Sequence, residues 1–256
     1  MKIATWNVNS VRAREARLLA WLAAWQPDVL CLQELKVVEA DFPTAAVQAL
    51  GYHAVVYGQK TYNGVAILSR TPPDDLRRGF GEDDDDPQAR LVSARVNGVR
   101  VLSAYFPNGG EVGSDKFAYK LAWMEKLRVL LERTASPDEP LALCGDVNVA
   151  PDDRDVARPE EWKDTVLCHP AARAALQRIA AWGLDDTFRR HHAEGGFYSW
   201  WDYRMLGFPK NNGLRIDHVL ATRRLAARST AVEIDRNERK GKQPSDHVPV
   251  VATFAD

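Results

Sequence analysis

Polar side chains able to do chemistry stand where short apolar runs of this sequence end. Carboxylates, carboxamides, one phenol and one imidazole occur at six separate places along the chain. Loops and strand ends are where a rigid sheet presents its functional groups. We therefore take these residues as candidates for one site: Asn7, Glu34, Tyr105, Asp146, Asn148, Asp217, Asp246 and His247.

Hydrolysis of a phosphate ester is the reaction that this set of groups suits. It needs a positive centre on the phosphoryl oxygens, an oriented water and help for the leaving oxygen. Glu34 and Asp246 can supply the oxygen ligands that a hard ion such as Mg²⁺ prefers. Asp146 can orient or deprotonate the attacking water, and Asn148 can hold water or phosphate through its amide.

The imidazole completes this interpretation. His247 can donate a hydrogen bond to a phosphoryl oxygen, and a carboxylate such as Asp217 can fix its tautomer and keep it charged. Each residue alone also has an ordinary explanation, because Asp and Asn commonly cap turns or bond to local backbone. Tyr105 can equally be half-buried sheet packing. The sequence spacing alone leaves both interpretations open.

The elements that must position these side chains are strands and helices in mixed order. Asn97-Gly98 between two apolar runs predicts a hairpin, because both residues tolerate positive φ. Early strand–helix–strand order and later hairpins predict a mixed sheet, or two facing sheets with helices outside. Strands are expected over 2–7, 28–33, 52–57, 64–69, 90–96, 99–106, 141–144, 214–222, 228–234 and 248–254, and helices over 10–25, 114–133 and 171–182.

Composition favours one compact domain over residues 1–256. The chain has 256 residues, 45% of them hydrophobic, and a net charge of −1, so it is not a polycation. Cys31, Cys144 and Cys168 have no close spacing, which argues against a disulfide framework or a zinc site. No apolar run approaches the length of a membrane span. We expect a cytoplasmic protein without membrane contact.

The ordered motifs of this sequence resemble those of a known family. They are similar to those of the endonuclease/exonuclease/phosphatase superfamily and, within it, to bacterial exonuclease III. The resemblance extends from Met1 to about Phe254 and rests on the motifs at 5–10, 32–34, 105–109, 145–148, 214–217 and 245–247, together with 199–204 and 211–215.

The resemblance implies a fold and a metal site. The fold is a four-layered α/β sandwich of two facing mixed β-sheets flanked by helices, with the site at one edge. Glu34 is implied as the principal metal ligand, with Asn7 and Asp246 close by. The metal that the resemblance implies is Mg²⁺, and Mn²⁺ is also expected to support activity. Asn9 stands where some relatives carry an acidic residue, which leaves the number of metal ions open.

The resemblance also implies the reaction. Asp146 would position or activate water, Tyr105, Asn148 and His247 would contact the scissile phosphate, and Asp217 would orient His247. Attack would occur on the phosphate 5′ to an abasic site and leave a 3′-hydroxyl. Related proteins also clear 3′-blocking groups and digest duplex DNA from 3′ ends.

Double-stranded DNA with abasic sites or 3′ ends is thus the implied partner, bound by a monomer associated with the bacterial nucleoid. Trp200 falls where the family places an aromatic wall of the abasic-sugar pocket. The acidic run at 82–86 is interpreted as a solvated loop away from DNA. The residues expected to contact DNA are Arg12, Lys60, Tyr62, Asn63, Asn108, Lys116, Lys120, Trp200, Arg204, Lys210 and Leu214.

Two alternatives are kept. A small-molecule or lipid phosphatase of the same superfamily would share the metal, Asp-Asn and Asp-His motifs. A relative that binds DNA without cutting it would be marked by the loss of polar site residues, and none is lost. The tryptophan-rich segment at 199–204 favours the DNA nuclease.

Overall fold

The computed structural model describes residues 1–81 and 86–255. Within them the chain forms twelve strands and six α-helices. The strands are β1 Lys2–Asn7, β2 Val29–Gln33, β3 His53–Tyr57, β4 Val65–Ser69, β5 Asp74–Arg78, β6 Leu91–Val96, β7 Val99–Tyr105, β8 Leu141–Asp146, β9 Leu184–Asp186, β10 Asp217–Thr222, β11 Ser229–Ile234 and β12 Val250–Phe254. The helices are α1 Val11–Trp25, α2 Thr44–Ala49, α3 Asp115–Thr134, α4 Pro159–Trp162, α5 Pro170–Ala181 and α6 Arg223–Ala226.

Two mixed six-stranded sheets hold these strands, in the orders β11-β12-β1-β2-β4-β3 and β5-β6-β7-β8-β10-β9. Each sheet contains a parallel pair, β1 with β2 and β7 with β8, and its other neighbours are antiparallel. The two strands of a parallel pair end at the same edge of the sheet, so polar residues that follow them are brought close together.

Three apolar layers separate the sheets and helices. One lies between the two sheets and includes Val29 and Cys31 from the first sheet with Val101 and Cys144 from the second. A second layer packs α1 onto the first sheet, and a third packs α3 and α5 onto the other. Helix, sheet, sheet and helix thus form the expected four-layered α/β sandwich, whose cores keep both sheets rigid.

Local sequence explains several boundaries. The Ser10 hydroxyl accepts from the Ala13 backbone N–H at the start of α1, and Gln26, before Pro27, ends it in left-handed conformation. Asn97 and Gly98 have φ of 49° and 77°, as the predicted two-residue hairpin requires. β6 and β7 pair directly across this turn.

The structure corrects the strand assignment in three places. The edge strand β5 was missed because all five of its residues are exposed and polar or charged except Leu76. The three-residue β9 was also missed. The expected strand at 214–222 begins only at Asp217, because Leu214 instead forms isolated bridges with Val156 and Trp200.

Two further expectations concern the surface. Among the described residues, every helix is too short or too polar to cross a membrane. The acidic run expected to be a solvated loop lies outside the described residues except for Asp86. The Asp86 carboxylate accepts a hydrogen bond of 2.7 Å from the Tyr119 hydroxyl.

Candidate active site

The strand ends bring the predicted polar residues to one edge of the sandwich. Asn7 ends β1 beside Gln33 of β2, so Glu34 follows at the same level. In the other sheet Tyr105 and Asp146 are register partners at the carboxyl ends of β7 and β8. Asp217 begins the antiparallel β10 directly opposite Asp146.

Asn7 joins the two sheets through its carboxamide. Its Nδ2 donates to Glu34 Oε1 at 2.9 Å and to Asp146 Oδ2 at 3.0 Å. One ligand atom from each of Glu34, Asp146 and His247 lies within 4.8 Å of the others. The structure thus brings carboxylates from both sheets and one imidazole to a single point, although they are far apart in sequence.

His247 is held between two carboxylates. Its Nδ1 lies 2.9 Å from Asp217 Oδ2, and its Nε2 lies 3.7 Å from Asp146 Oδ2. Burial disfavours the charged imidazole, but the charges of Asp217 and Asp146 outweigh burial and raise the pKa of His247 to about 10. The imidazolium form therefore presents an N–H group at Nε2.

Two serine side chains hold Asp217 and His247 in place. Ser199 Oγ donates to Asp217 Oδ2 at 2.6 Å and accepts the backbone N–H of Asp217. Ser245 Oγ donates to the Asn7 carbonyl and accepts the His247 backbone N–H. Asp217 and His247 thus have little freedom to turn away from Asp146.

Asp146 is a buried carboxylate with a raised pKa. Burial raises its pKa to about 7, and the charges of Asp217 and Glu34 act in the same direction while His247 opposes them. Its Oδ1 accepts the Asn148 backbone N–H at 2.9 Å. A carboxylate poised near neutrality can exchange a proton with water at physiological pH.

Asn148 has a left-handed backbone, with φ of 50°. Its Nδ2 donates to the Phe106 carbonyl at 2.9 Å and approaches Asp146 Oδ2 at 3.3 Å. Its Oδ1 accepts from Asn108 Nδ2 at 3.1 Å. Two carboxamides from the loops after β7 and β8 therefore lie side by side next to Asp146.

Tyr105 lies at the boundary of this cluster. Burial raises the pKa of its phenol well above the ordinary value, and the charges of Glu34 and Asp146 add to the effect. The Arg90 guanidinium stands over the ring, 4.8 Å from its centroid. The phenol therefore stays protonated and can donate a hydrogen bond.

A second polar chain leads from Glu34 to the aromatic wall. The Lys36 ammonium lies 3.0 Å from Glu34 Oε2 and also bonds Asn9 Oδ1. Asn9 Nδ2 then donates to Asp246 Oδ1 at 2.9 Å. The Trp200 indole N–H donates to Asp246 Oδ2 at 3.0 Å. Asp246 thus belongs to the same edge but is bonded to Asn9 and Trp200.

The donor set fits a hard divalent cation. Glu34 and Asp146 bring two carboxylates together, and their mutual repulsion contributes to the raised pKa of Asp146. The Lys36 ammonium against Glu34 shows that this position favours a positive charge. Carboxylate oxygens are the ligands that such an ion prefers, whereas Asn7 turns its Nδ2 towards Glu34 and Asp146.

Trp200 is half-buried at the same edge of the sandwich as His247. Its ring centroid lies 6.4 Å from that of His247 and 5.7 Å from that of Trp162, which meets it edge-on. Trp162 is itself fixed by a hydrogen bond from its indole N–H to Asn212 Oδ1 at 3.2 Å. An aromatic side chain therefore stands next to the imidazole, at the position where the family resemblance implies a sugar-binding wall.

Most of the residues expected to contact DNA are exposed. Arg12 and Arg204 form ion pairs with Asp41 and Asp202, so part of their charge is already balanced. Asn63 is largely buried, and its amide donates to Gln59 Oε1 at 3.0 Å. The exposed members of the set are Arg12, Lys60, Tyr62, Asn108, Lys116, Arg204 and Lys210.

Two of the expected DNA contacts are wrong. Lys120 is fully buried, and its ammonium bonds three backbone carbonyls, so it cannot reach a phosphate. Leu214 is also fully buried and belongs to the apolar layer under α3 and α5. In both cases the sequence showed the residue type without showing the direction in which the side chain points.

Sequence reasoning also missed residues that the structure brings to the site. Ser199, Ser245 and Lys36 all bond candidate residues. Ser199 and Ser245 lie inside motifs already identified, and Lys36 follows Glu34 by two residues. The signal was position within a motif, but small hydroxyls and surface-type lysines are too common for their type alone to reveal a role.

Comparisons with known proteins identify the family of this chain. A model of the Endonuclease/Exonuclease/phosphatase family matches residues 4–247. Exodeoxyribonuclease III of Haemophilus influenzae is 38% identical over 266 residues, covering 99% of this chain and 100% of that protein. Among solved structures, an AP endonuclease from Archaeoglobus fulgidus has a TM-score of 0.96 at 40% identity, with 99% of each chain covered.

A Neisseria 3′ phosphatase bound to a product DNA hairpin has a TM-score of 0.96 at 44% identity, covering 100% of this chain and 99% of that one. The chain therefore belongs to the endonuclease/exonuclease/phosphatase family and, within it, to the exonuclease III group of nucleases.

Proposed function

We propose that this chain hydrolyses phosphodiester bonds of double-stranded DNA, cutting 5′ to abasic sites to leave a 3′-hydroxyl and clearing blocked 3′ ends. The observation that carries the proposal is the buried series Asp217–His247–Asp146 next to Glu34. Relatives named as an exodeoxyribonuclease, an AP endonuclease and a 3′ phosphatase also support the proposal.

We assign metal binding to Glu34, with Asn7 and Asp246 beside it, and expect Mg²⁺, with Mn²⁺ as a substitute. Such an ion, when bound, neutralises charge on the phosphoryl oxygens. The half-buried carboxylates of Glu34 and Asp246 are of the ligand type that this ion prefers. Asn7 turns its Nδ2 towards Glu34, and its Oδ1 accepts the Asn9 backbone N–H.

The remaining roles belong to the protein's own groups. Asp146, with its raised pKa, orients the attacking water and accepts its proton. The imidazolium of His247, kept charged by Asp217, and the Asn148 amide donate to the scissile phosphate. The neutral Tyr105 phenol donates to a phosphate oxygen from the other side.

DNA recognition is assigned to the rim of this edge. Trp200 offers an apolar wall to a sugar without a base, and flipping such a residue breaks no base pair. The exposed cations Arg12, Lys60, Lys116, Arg204 and Lys210 are proposed to bind backbone phosphates, with Tyr62, Asn63 and Asn108 nearby. We further propose that residues 1–256 act as a single domain and as a monomer, associated with the nucleoid through DNA.

Incision of a labelled duplex carrying one tetrahydrofuran abasic analogue tests the proposal. Wild-type protein should make a single cut 5′ to the analogue in Mg²⁺ and none in EDTA. Asp146→Asn should lower kcat by about 10²–10⁴-fold, because the general base is lost. The exposed Asp138→Asn, far from the site, is the matched control and should cut normally.

Other outcomes would favour the alternatives. Faster turnover of inositol phosphates or sphingomyelin than of abasic DNA would favour a small-molecule or lipid phosphatase. Tight binding of nicked or abasic duplex without any cut in Mg²⁺ or Mn²⁺ would favour a non-catalytic DNA-binding relative. Normal cutting by Asp146→Asn would overturn the role given to this carboxylate.

A further inference from the structure

The ammonium of Lys120 is buried beneath the catalytic edge. It donates to the backbone carbonyl oxygens of Asn108 at 3.1 Å, Asn148 at 2.7 Å and Val166 at 2.7 Å. An ammonium has three donors, so all of them are used. Among the described residues Lys120 forms no ion pair. Its role therefore differs from that of an ordinary surface lysine.

The three carbonyls belong to three different segments. Asn108 lies in the loop after β7, Asn148 in the loop after β8, and Val166 in the segment before α5. Lys120 itself projects from α3, whose first turn is capped by Ser114 and whose buried face packs into the core. One rigid helix thus holds three otherwise separate segments at a single atom.

The packing around the lysine stem leaves little freedom. A Cβ added to Gly109 would lie 3.0 Å from Lys120 Cδ, 3.2 Å from Phe117 Cδ2 and 3.4 Å from Val166 Cβ. Gly109 also has a φ of +96°, which favours glycine. The loop carrying Asn108 therefore lies directly on the buried lysine chain.

Asn148 is held by contacts on both sides of its backbone. Its left-handed backbone is held on one side by the bond from its N–H to Asp146 Oδ1 and on the other by the bond from Lys120 to its carbonyl. Its side chain bonds Asp146 and receives the Asn108 amide. A change in the Asn148 peptide would therefore move both carboxamides and the Asp146 carboxylate.

We propose that Lys120 is a positioning residue, which holds the Asn108 and Asn148 backbones so that their amides and Asp146 keep the geometry required for phosphodiester hydrolysis. This inference rests on the proposed function for the site. Lys120 does not touch the substrate. It acts through the peptide groups of two loops, and the buried positive charge lies behind the amides that face the phosphate.

The three carbonyl contacts require the charged form of Lys120, and burial opposes that form. Burial lowers the pKa of Lys120 to about 7, and the nearby Asp146 charge opposes that effect. Three carbonyl acceptors favour the ammonium, because a neutral amine could donate to only two of them.

The test compares Lys120→Met with wild-type protein on the abasic duplex and on a 3′-phosphate duplex. Displacing catalytic groups by about 1 Å can cost about 10²-fold in rate. We expect kcat to fall about 10- to 100-fold on both substrates, with KM within about twofold. DNA affinity in EDTA, measured by fluorescence anisotropy, should stay unchanged. The kcat of Lys120→Gln, which keeps two donors without the charge, should lie between those of wild type and Lys120→Met.

Two variants of the same helix are matched controls. Lys126→Met removes an exposed ammonium from α3, and Leu127→Ala opens a cavity in its buried face. Lys126→Met should keep the kcat of wild type. Leu127→Ala should lower the Tm but leave kcat near wild type at a temperature where the protein is fully folded. A drop in kcat for Leu127→Ala equal to that of Lys120→Met would reduce Lys120 to a structural residue and overturn the inference.

Other results would overturn it as well. A raised KM with unchanged kcat would mean that Lys120 contributes only to binding. If Lys120→Met does not fold, the comparison is made with Lys120→Gln, and wild-type kcat in that folded variant would also overturn the inference.

Hydrogen exchange separates this inference from the proposed function. Lys120→Met should speed exchange at 106–110 and 146–150 more than Leu127→Ala does, whether or not any DNA is cut. If wild-type protein cuts neither duplex, the proposed function fails, and the exchange pattern still decides whether Lys120 positions these loops.

Discussion

At the scale of single residues, the site combines groups whose charges oppose one another. Glu34, Asp146 and Asp217 converge on one imidazolium, and burial strengthens each interaction because little water screens it. Burial and the neighbouring carboxylates raise the pKa of Asp146, whereas the carboxylates outweigh burial at His247. One cluster thus produces both a carboxyl group with a pKa near 7, on Asp146, and an imidazolium that stays charged at neutral pH, on His247.

The Asp217–His247 pair should make stability depend on pH. The folded-state pKa of His247, about 10, lies above the ordinary value of 6.5. Its stabilisation is therefore complete below pH 6.5 and is lost as pH rises through 10. Asp217→Asn should destabilise the protein by about 3 kcal/mol at pH 6, because it removes the carboxylate bonded to the buried imidazolium, although Asp146 still lies 3.7 Å from it.

Urea unfolding in EDTA at pH 6, 8 and 10 measures this effect. The difference in unfolding free energy between wild type and Asp217→Asn should shrink as pH rises. A difference that is constant or grows over this range would contradict the charged state assigned to His247. Asp138→Asn, an exposed carboxylate substitution, is the control and should show no such trend.

Lys36 should weaken metal binding at Glu34. Its ammonium lies 3.0 Å from Glu34 Oε2 and would repel an incoming divalent ion. Lys36→Met should therefore lower the Kd for Mn²⁺ by about tenfold, equivalent to about 1.4 kcal/mol. Calorimetric titration without DNA measures it, with the exposed Lys2→Met as control. Weaker Mn²⁺ binding by Lys36→Met would show instead that the lysine orients Glu34 for the metal.

At the scale of elements, the position of β8 against β7 determines where Asp146 lies. Gly145 has a φ of +151°, and a Cβ there would lie 1.8 Å from the Ala104 carbonyl oxygen. Gly145→Ala should therefore cost about 3 kcal/mol of unfolding free energy and displace Asp146. Gly98→Ala, at positive φ with open space around it, should cost only about 1–2 kcal/mol. If chemical denaturation shows equal losses of unfolding free energy for Gly145→Ala and Gly98→Ala, the β7 backbone can move away from the added methyl group.

The sequence predicted elements best where burial produces a pattern. β1, with its buried run from Ile3 to Asn7, was expected with its observed bounds, and α3 was expected to within one residue at each end. β5 escaped because a solvated edge strand has no alternation of apolar residues. The short α2, α4 and α6 escaped because one helical turn or little more is too short to show a period.

The site residues were predicted from motifs and not from a pattern of burial. Motif resemblance identified Asn7, Glu34, Asp146 and His247, which the structure brings together. It could not predict that Lys120 points inward, because both faces of a helix can carry lysine. Such orientation depends on tertiary packing, and local sequence does not encode it.

At the scale of the whole molecule, DNA binding must come from local charge. The net charge is −1, so long-range attraction to DNA is weak. The exposed Lys60, Lys116 and Lys210 belong to the proposed DNA-contact set, whereas Arg12 and Arg204 already bond carboxylates. Only about three to five phosphate contacts are therefore expected.

This number predicts the salt dependence of binding. Each neutralised phosphate contributes about −0.9 to the slope of log K against log salt, so the slope should be about −2.7 to −4.5. Lys116→Ala should make the slope less steep by about 1, whereas Lys126→Ala, further along the same helix, should leave it unchanged. Anisotropy titrations of abasic duplex in EDTA at several KCl concentrations measure both. An unchanged slope for Lys116→Ala would remove that lysine from the DNA-binding surface, and a much steeper wild-type slope would require cations beyond the proposed rim.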